Sequence, residues 1–461
     1  MKSLLSRREL MALMAKTTGL VVGSQYLPFS LQARAETSAE PHFFLLLKTN
    51  GGWDVTLAMD SKLPADMTQQ GIDETDFYRV YTEDQMIKVA DRTYFGPAAA
   101  SLVPYFQDLC VVNGVLMLPK VTNHEINRAY MAIGNSKPDD PYFPFQLAMT
   151  AGDAPMGVAH RLEYVDQLRT GSYTSKIAAR ELTQAQGGGL QDLYVQALMD
   201  KITREASENG TNATIDAQRL SLEAQAALAS VADKFKEFRE KYFDGTDEGD
   251  GIAATLAGFN AGVIRYGVVD YQSDYELDTH SSHSTKHPLV LGKALSRVAA
   301  TLKCLKETPY APNGVESGKS LFDYTTVMVV SEFARTPWNQ GGDGTDHNPY
   351  TNSCLMFGKR IQGGQVIGNS RMISRKDTSE QRSRLQANLF DFKNNTPISD
   401  ETFRSVLSGD IKVGACSADL PQCLDFIMPG TLMKTMAKAF GVDDKAQWVS
   451  KSRTLDQILR A

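Results

Sequence analysis

The sequence predicts an α/β protein built on a doubly wound, mainly parallel sheet, and three features carry that prediction. Apolar runs of strand length recur along the chain, helical patterns separate them, and turns rich in glycine or carboxylates close them. The first run is Phe43 to Lys48, ending in Gly51-Gly52. The second is Leu109 to Val115. Val263 to Val269 follows a short apolar helix pattern around Ile252 to Phe259, and Thr325 to Val330 is the clearest run of all. Unbroken rather than alternating apolar character marks strands covered on both faces.

One segment stands apart. Gly187-Gly188-Gly189 and the polar run Gly245 to Gly251 bracket a strongly helical stretch, which Asn209-Gly210 divides in two. Val231, Phe235, Phe238 and Tyr242 make one apolar stripe along its second half. This predicts an inserted helical hairpin over about 187–245: a lid, a docking surface or a plain structural excursion. The rest, 36–461, is expected to form one domain.

With 461 residues, 42% hydrophobic and 22% charged, the composition excludes collagen, a wholly disordered chain and a multi-span membrane protein. The net charge is −6. Residues 1–35 carry five basic side chains and one acid, so the remainder has 43 basic against 53 acidic groups, a balance of −10. An acidic body gives no electrostatic case for nucleic acid or anionic lipid as a main partner.

The N-terminus reads as an address. Arg7-Arg8 precede a weakly apolar stretch from Leu10 to Leu31, and Ala33-Arg34-Ala35 offers small residues for cleavage before Glu36. Paired arginines with modest hydrophobicity resemble a twin-arginine signal, which engages the export machinery for folded proteins. No run approaches the ~18 apolar residues of a membrane span. The expected destination is the periplasm or beyond, where disulfides persist. Cys416 and Cys423 are close enough to bridge a C-terminal loop, while Cys110 and Cys304 read as buried thiols.

The chemistry is expected where the strands end, because ligands of open α/β sheets bind outside the carboxyl edge. Asp54 follows the first run and His124 the second. Asp278, His280, His283 and His287 follow the Val263 run, and Glu332 and Asp346-His347 follow the Thr325 run. Carboxylates and imidazoles together suit zinc, manganese or calcium. The histidines of the Asp278–His283 loop admit a bland reading as backbone partners in a solvated loop. His287, before Pro288, reads as a helix-start residue. Glu332 ends an apolar strand, where a carboxylate needs a metal or a partner such as Arg335. Alternatively Arg335 and Asn339 face an anionic substrate, since a planar guanidinium grips phosphate or sulfate in two places.

Ser331-Glu332-Phe333-Ala334-Arg335-Thr336-Pro337, Gly344-Thr345-Asp346-His347 and Gly363-Gly364-Gln365-Val366-Ile367-Gly368 closely resemble an uncharacterised secreted family, numbered fifteen-oh-one among domains of unknown function. Asp278-Thr279-His280, Gly51-Gly52 with Asp54, and Asp60 with Lys62 match its pattern too. The resemblance runs from about residue 43 to 370, outside the helical hairpin. That family is similar to the alkaline phosphatase and sulfatase superfamily, whose members hold two metals on a doubly wound sheet. The resemblance implies an alkaline-phosphatase-like fold with Asp54, Asp278, His280, His283, Glu332, Asp346 and His347 as metal ligands. Phe333 departs from the superfamily's Asp-His pair and removes one ligand of a second metal. His124-Glu125-Ile126-Asn127-Arg128-Ala129 fits the sulfatase nucleophile run by its Arg-Ala, which implies Arg128 as a substrate contact and places His124 where the nucleophile stands.

The expectation is an exported, metal-dependent hydrolase acting on an anionic small-molecule or glycan ester, phosphate or sulfate. His124 would attack or shuttle a proton, and Arg335 would neutralise the anion. The alternative is a non-catalytic secreted protein of the same fold that binds a metal or a glycan.

Overall fold

The structure is a computed structural model and describes residues 40–460, apart from 70–71, 73–76, 136–139, 152–156, 161–230, 263–264, 273–275, 313–316, 376–381, 415 and 417–419. The signal region and most of the expected hairpin lie outside the described residues. The end of the hairpin that is described, 231–241, is helical, and Val231 and Phe238 pack into the core with Phe235 and Tyr242 partly buried beside them.

Seven strands form the central sheet: β1 (Phe43–Thr49), β2 (Leu109–Asn113), β3 (Gly157–His160), β4 (Tyr266–Gln272), β5 (Thr325–Ser331), β6 (Ser353–Gly358) and β7 (Gln365–Ile367). Their order is β7-β2-β6-β5-β1-β4-β3. Every neighbouring pair is parallel except those made by β6, which runs antiparallel to both β2 and β5. The expectation of a mixed α/β protein with a mainly parallel sheet holds. Side chains of β1 alternate between two cores: Phe43, Leu45 and Leu47 on one face, Phe44 and Leu46 on the other. Helices α2 (Asp247–Asn260) and α3 (His283–Glu307) cover the first face, and α1 (His124–Ile133) and α4 (Pro429–Ala439) cover the second. A strand covered on both sides needs the continuous apolar run that the sequence shows.

The Val263 run begins later and ends later than expected, at Tyr266 and Gln272. Asp270 stays in the strand because Lys48 lies opposite it on β1 and forms a buried ion pair with it. Strand β6 escaped the sequence reading. Its apolar centre, Cys354 to Phe357, has no β-branched residue, the feature that separates short strands from buried helix segments. Among the described residues no helix is long and apolar enough to cross a membrane.

Cys416 and Cys423 form a disulfide, and Cys110 and Cys304 are buried thiols, as is Cys354. The bridge closes a short loop beside the small cluster of Leu389, Ile398 and Leu424. Chain entropy for a loop of that size gives about 2 kcal/mol. Replacing both cysteines by serine is therefore expected to lower the urea midpoint modestly and leave metal binding unchanged. A collapse of the whole fold would show the bridge to be structural for the sheet domain.

Candidate metal centre at the carboxyl edge of the sheet

The loops that leave β1, β4 and β5 meet at one edge, and β6, running the other way, brings its incoming loop there as well. Asn352, just ahead of β6, ties this edge together: it accepts from the Trp53 indole at 2.7 Å and donates to the Ser331 carbonyl at 2.7 Å. Gly51 and Gly52 have φ of +92° and +75°. A Cβ on Gly51 would lie 2.5 Å from the Asp278 nitrogen, and one on Gly52 would lie 2.4 Å from the Phe333 ring. Only glycine meets both demands.

Asp278 is the hub. Its Oδ1 lies 2.8 Å from Arg335 Nη1, 3.0 Å from His347 Nε2 and 3.1 Å from His280 Nε2, and its Oδ2 lies 3.5 Å from His124 Nε2. His124, Asp278 and His347 offer ligand atoms that all lie within 4.8 Å of one another, as do those of His280, Asp346 and His347. His124 is the first residue of α1, whose Asn123 cap accepts from the Ile126 N–H at 3.0 Å. A short ribbon pairs Arg335 with His347. The loop between them is pinned by Asp343, which accepts from the Ser284 N–H at 3.2 Å and so caps α3 from outside.

The hydrogen bonds set the imidazole tautomers. His347 Nδ1 donates to the Thr122 carbonyl at 2.7 Å, leaving Nε2 for the cluster. His124 Nδ1 donates to Glu332 Oε1 at 2.7 Å, so its Nε2 also faces inward. Such outer carboxylates and carbonyls orient metal-binding histidines. His280 is arranged the other way. Gln340 Nε2 donates to its Nδ1 at 3.0 Å and to the Thr345 carbonyl at 3.1 Å, which leaves the hydrogen on His280 Nε2.

Several expected site residues stand elsewhere. Asp54 is buried, and its Oδ1 accepts from Thr56 N at 2.9 Å and Thr56 Oγ1 at 2.7 Å, while Oδ2 meets His283 Nε2 at 3.2 Å. His283 is committed on its other side to Thr279 and Thr345 hydroxyls at 2.7 and 3.0 Å. Asp54 and His283 therefore form a buried pair beneath the cluster instead of joining it. His287 does not start a helix but lies one turn inside α3, where it accepts from the Asp54 N–H at 2.9 Å. Glu332 does not pair with Arg335; its Oε1 takes His124 and the Gly51 N–H.

Arg335 is 1% exposed. It donates to Thr345 Oγ1 and the Thr345 carbonyl, to the Gly51 carbonyl and to Asp278, so it holds the site together and does not face a substrate. Arg128 is likewise buried on α1, out of reach of a substrate. Asn339 is exposed, and its side chain closes its own turn onto Gly341 at 2.8 Å. Asp346 is half-exposed at the rim, 3.9 Å from His280 Nδ1. Nothing in the sequence marks the Thr122 carbonyl or Gln340, because a backbone acceptor and a loop amide carry no compositional signal.

The charges are coupled. Burial pulls the His124 pKa down, but hydrogen bonds and charge from Asp278 and Glu332 outweigh it and raise it to about 9. Burial alone would raise Asp278, yet His124, His347 and Arg335 hold its carboxyl well below the usual range. A raised imidazole contributes stability below its ordinary 6.5 and loses it as pH climbs toward about 9. A depressed carboxyl contributes above 3.8 and loses it as pH falls below that value. The metal-free protein is thus expected to be most resistant to urea between these limits, with an alkaline decline that His124→Gln flattens. An unchanged alkaline decline in that variant would contradict the assignment.

No curated protein matches the chain. Residues 175–390, a little under half of it, match the model of a family described as Protein of unknown function (DUF1501). The matched span takes in 187–245, the segment expected to be an insertion outside the family pattern, and leaves out Asp54 and His124. Asp278, His280, Glu332, Arg335 and His347 thus lie within the span that is similar to that uncharacterised family, DUF1501.

Proposed function

We propose that this protein is an exported, metal-dependent hydrolase of phosphate or sulfate esters on an alkaline-phosphatase-like sheet. The observation that carries the reading is the convergence of His124, Asp278 and His347 at the carboxyl edge, two neutral-capable imidazoles and one carboxylate within 4.8 Å. The donor set fits a divalent cation. Without a metal, Asp278 and Glu332 are balanced by Arg335 and a protonated His124, whose proton a cation would displace, and Glu332 Oε2, on a residue 1% exposed, finds no hydrogen-bond partner among the described residues. Zinc, manganese or calcium would then be held by His124, Asp278 and His347. A cation held there would supply Lewis-acid chemistry, polarising an ester oxygen and lowering the pKa of a water toward ~7.

The chain's own groups supply the rest. Arg335 fixes Asp278, Glu332 fixes His124, and the Thr122 carbonyl fixes His347. His280, the most exposed imidazole of the cluster at 44%, carries its hydrogen on Nε2 and stands to donate a hydrogen bond to the departing oxygen. With Arg335 and Arg128 sealed, the anion's remaining charge falls to the N-terminus of α1, whose helix dipole favours negative groups. The arginine pair at residues 7–8 and the Cys416–Cys423 bridge support passage to an oxidising compartment.

One observation favours the second reading, a non-catalytic protein that binds metal or glycan. His124 stands where a nucleophilic hydroxyl or thiol would begin α1, and both its nitrogens are engaged. The two separate on purified protein by assaying bound metal and then aryl phosphates, phosphodiesters and aryl sulfates. Turnover that chelation abolishes supports the hydrolase. Stoichiometric metal without turnover supports the binding protein.

A further inference from the structure

We infer that this edge holds one divalent cation and not two, ligated by His124, Asp278 and His347, with His280 outside the coordination as a proton-bearing neighbour. The inference rests on reading the cluster as a metal site and specifies its occupancy. Both candidate ligand groups, His124/Asp278/His347 and His280/Asp346/His347, require His347. Its Nδ1 is spent on the Thr122 carbonyl, so Nε2, which meets His280 Nε2 at 3.1 Å, is its one ligand atom, and one ring nitrogen serves one ion. The two groups are alternatives.

Three further observations decide between them. First, Gln340 donates to His280 Nδ1, which places hydrogen, not a lone pair, on the inward Nε2. His124 and His347 have the opposite arrangement, each with Nδ1 on an oxygen acceptor. Second, Asp54 and His283, the remaining acidic and imidazole groups nearby, are saturated by one another and by Thr56, Thr279 and Thr345. Third, Phe333 closes the space between these two layers. Its ring is fully buried, stacks on His347 with centroids 4.5 Å apart, lies 5.1 Å from the His124 ring and leaves no room for a Cβ on Gly52. A second ion would be left with Asp346 at the exposed rim and the buried second oxygen of Glu332.

The test is the stoichiometry of Zn²⁺ alone on the full-length chain, stripped with a chelator, titrated calorimetrically and checked by elemental analysis. One equivalent is expected. His280→Gln and Asp346→Asn should each retain that equivalent, with affinity reduced by less than the roughly tenfold that loss of an outer partner costs. His347→Gln, checked as folded by its urea midpoint, should retain none. Two equivalents on the wild type, or loss of the ion in His280→Gln or Asp346→Asn, would overturn the single-ion assignment while leaving a metal site in place. A folded wild type that takes up no Zn²⁺ would defeat the parent reading, and the single-ion assignment with it.

Discussion

Asp278→Asn is expected to abolish metal uptake at this edge, with affinity falling by more than about 100-fold, the upper end of what loss of an outer partner costs. The size of the effect follows from position. Asp278 touches His124, His280, His347 and Arg335, so an amide there removes a charged ligand and the charge that balances the guanidinium. Asn keeps an acceptor toward Arg335, so the fold should survive. Asp278→Ala removes that acceptor too and should cost stability of about 3–5 kcal/mol, the penalty for leaving a buried ion without its partner. Calorimetric Zn²⁺ titration and urea denaturation of the two variants separate the two losses. Unchanged metal affinity in Asp278→Asn would remove Asp278 from the site.

Arg335→Lys has the second-largest expected effect, and its direction discriminates. A guanidinium that faces substrate would, when replaced by lysine, raise KM and leave stability alone. The structure instead engages Arg335 with Thr345, Gly51 and Asp278, with 1% of the residue exposed. Lysine carries one compact ammonium and cannot span these acceptors. The carbonyls of Gly51 and Thr345 would lose partners in a buried place, at about 1–3 kcal/mol for each unsatisfied group. The expected result is a markedly lower urea midpoint and weaker metal binding, as Asp278 loses its anchor. A variant with wild-type stability and a KM defect would restore the substrate-binding role.

Much of this was legible in the sequence because burial on both faces leaves a simple signature. Phe43 to Lys48 and Thr325 to Val330 are continuous apolar runs, and each became a central strand. The edge where chemistry gathers was also readable, since Asp278, Glu332 and His347 all adjoin strand ends. What the sequence could not provide is which of these groups already have partners. Asp54 and His283 look like ligands until Thr56, Thr279 and Thr345 are seen around them. Arg335 looks like an anion contact until its burial is seen. Both readings miss partners for one reason: hydroxyl and carbonyl groups carry no compositional signal, whether they lie near in sequence, as Thr56 does to Asp54, or far, as Thr345 does from His283. Phe333 is the instructive case, because its departure from an Asp-His pair was visible in sequence, whereas its placement against Gly52 and His347 was not.

Anomalous scattering from a crystal of the zinc-loaded protein shows directly whether a cation sits between His124, Asp278 and His347. One strong peak is expected within about 2.0–2.2 Å of the Nε2 atoms of His124 and His347 and of an Asp278 oxygen. A peak between Asp54 and His283, or none at this edge, would contradict it.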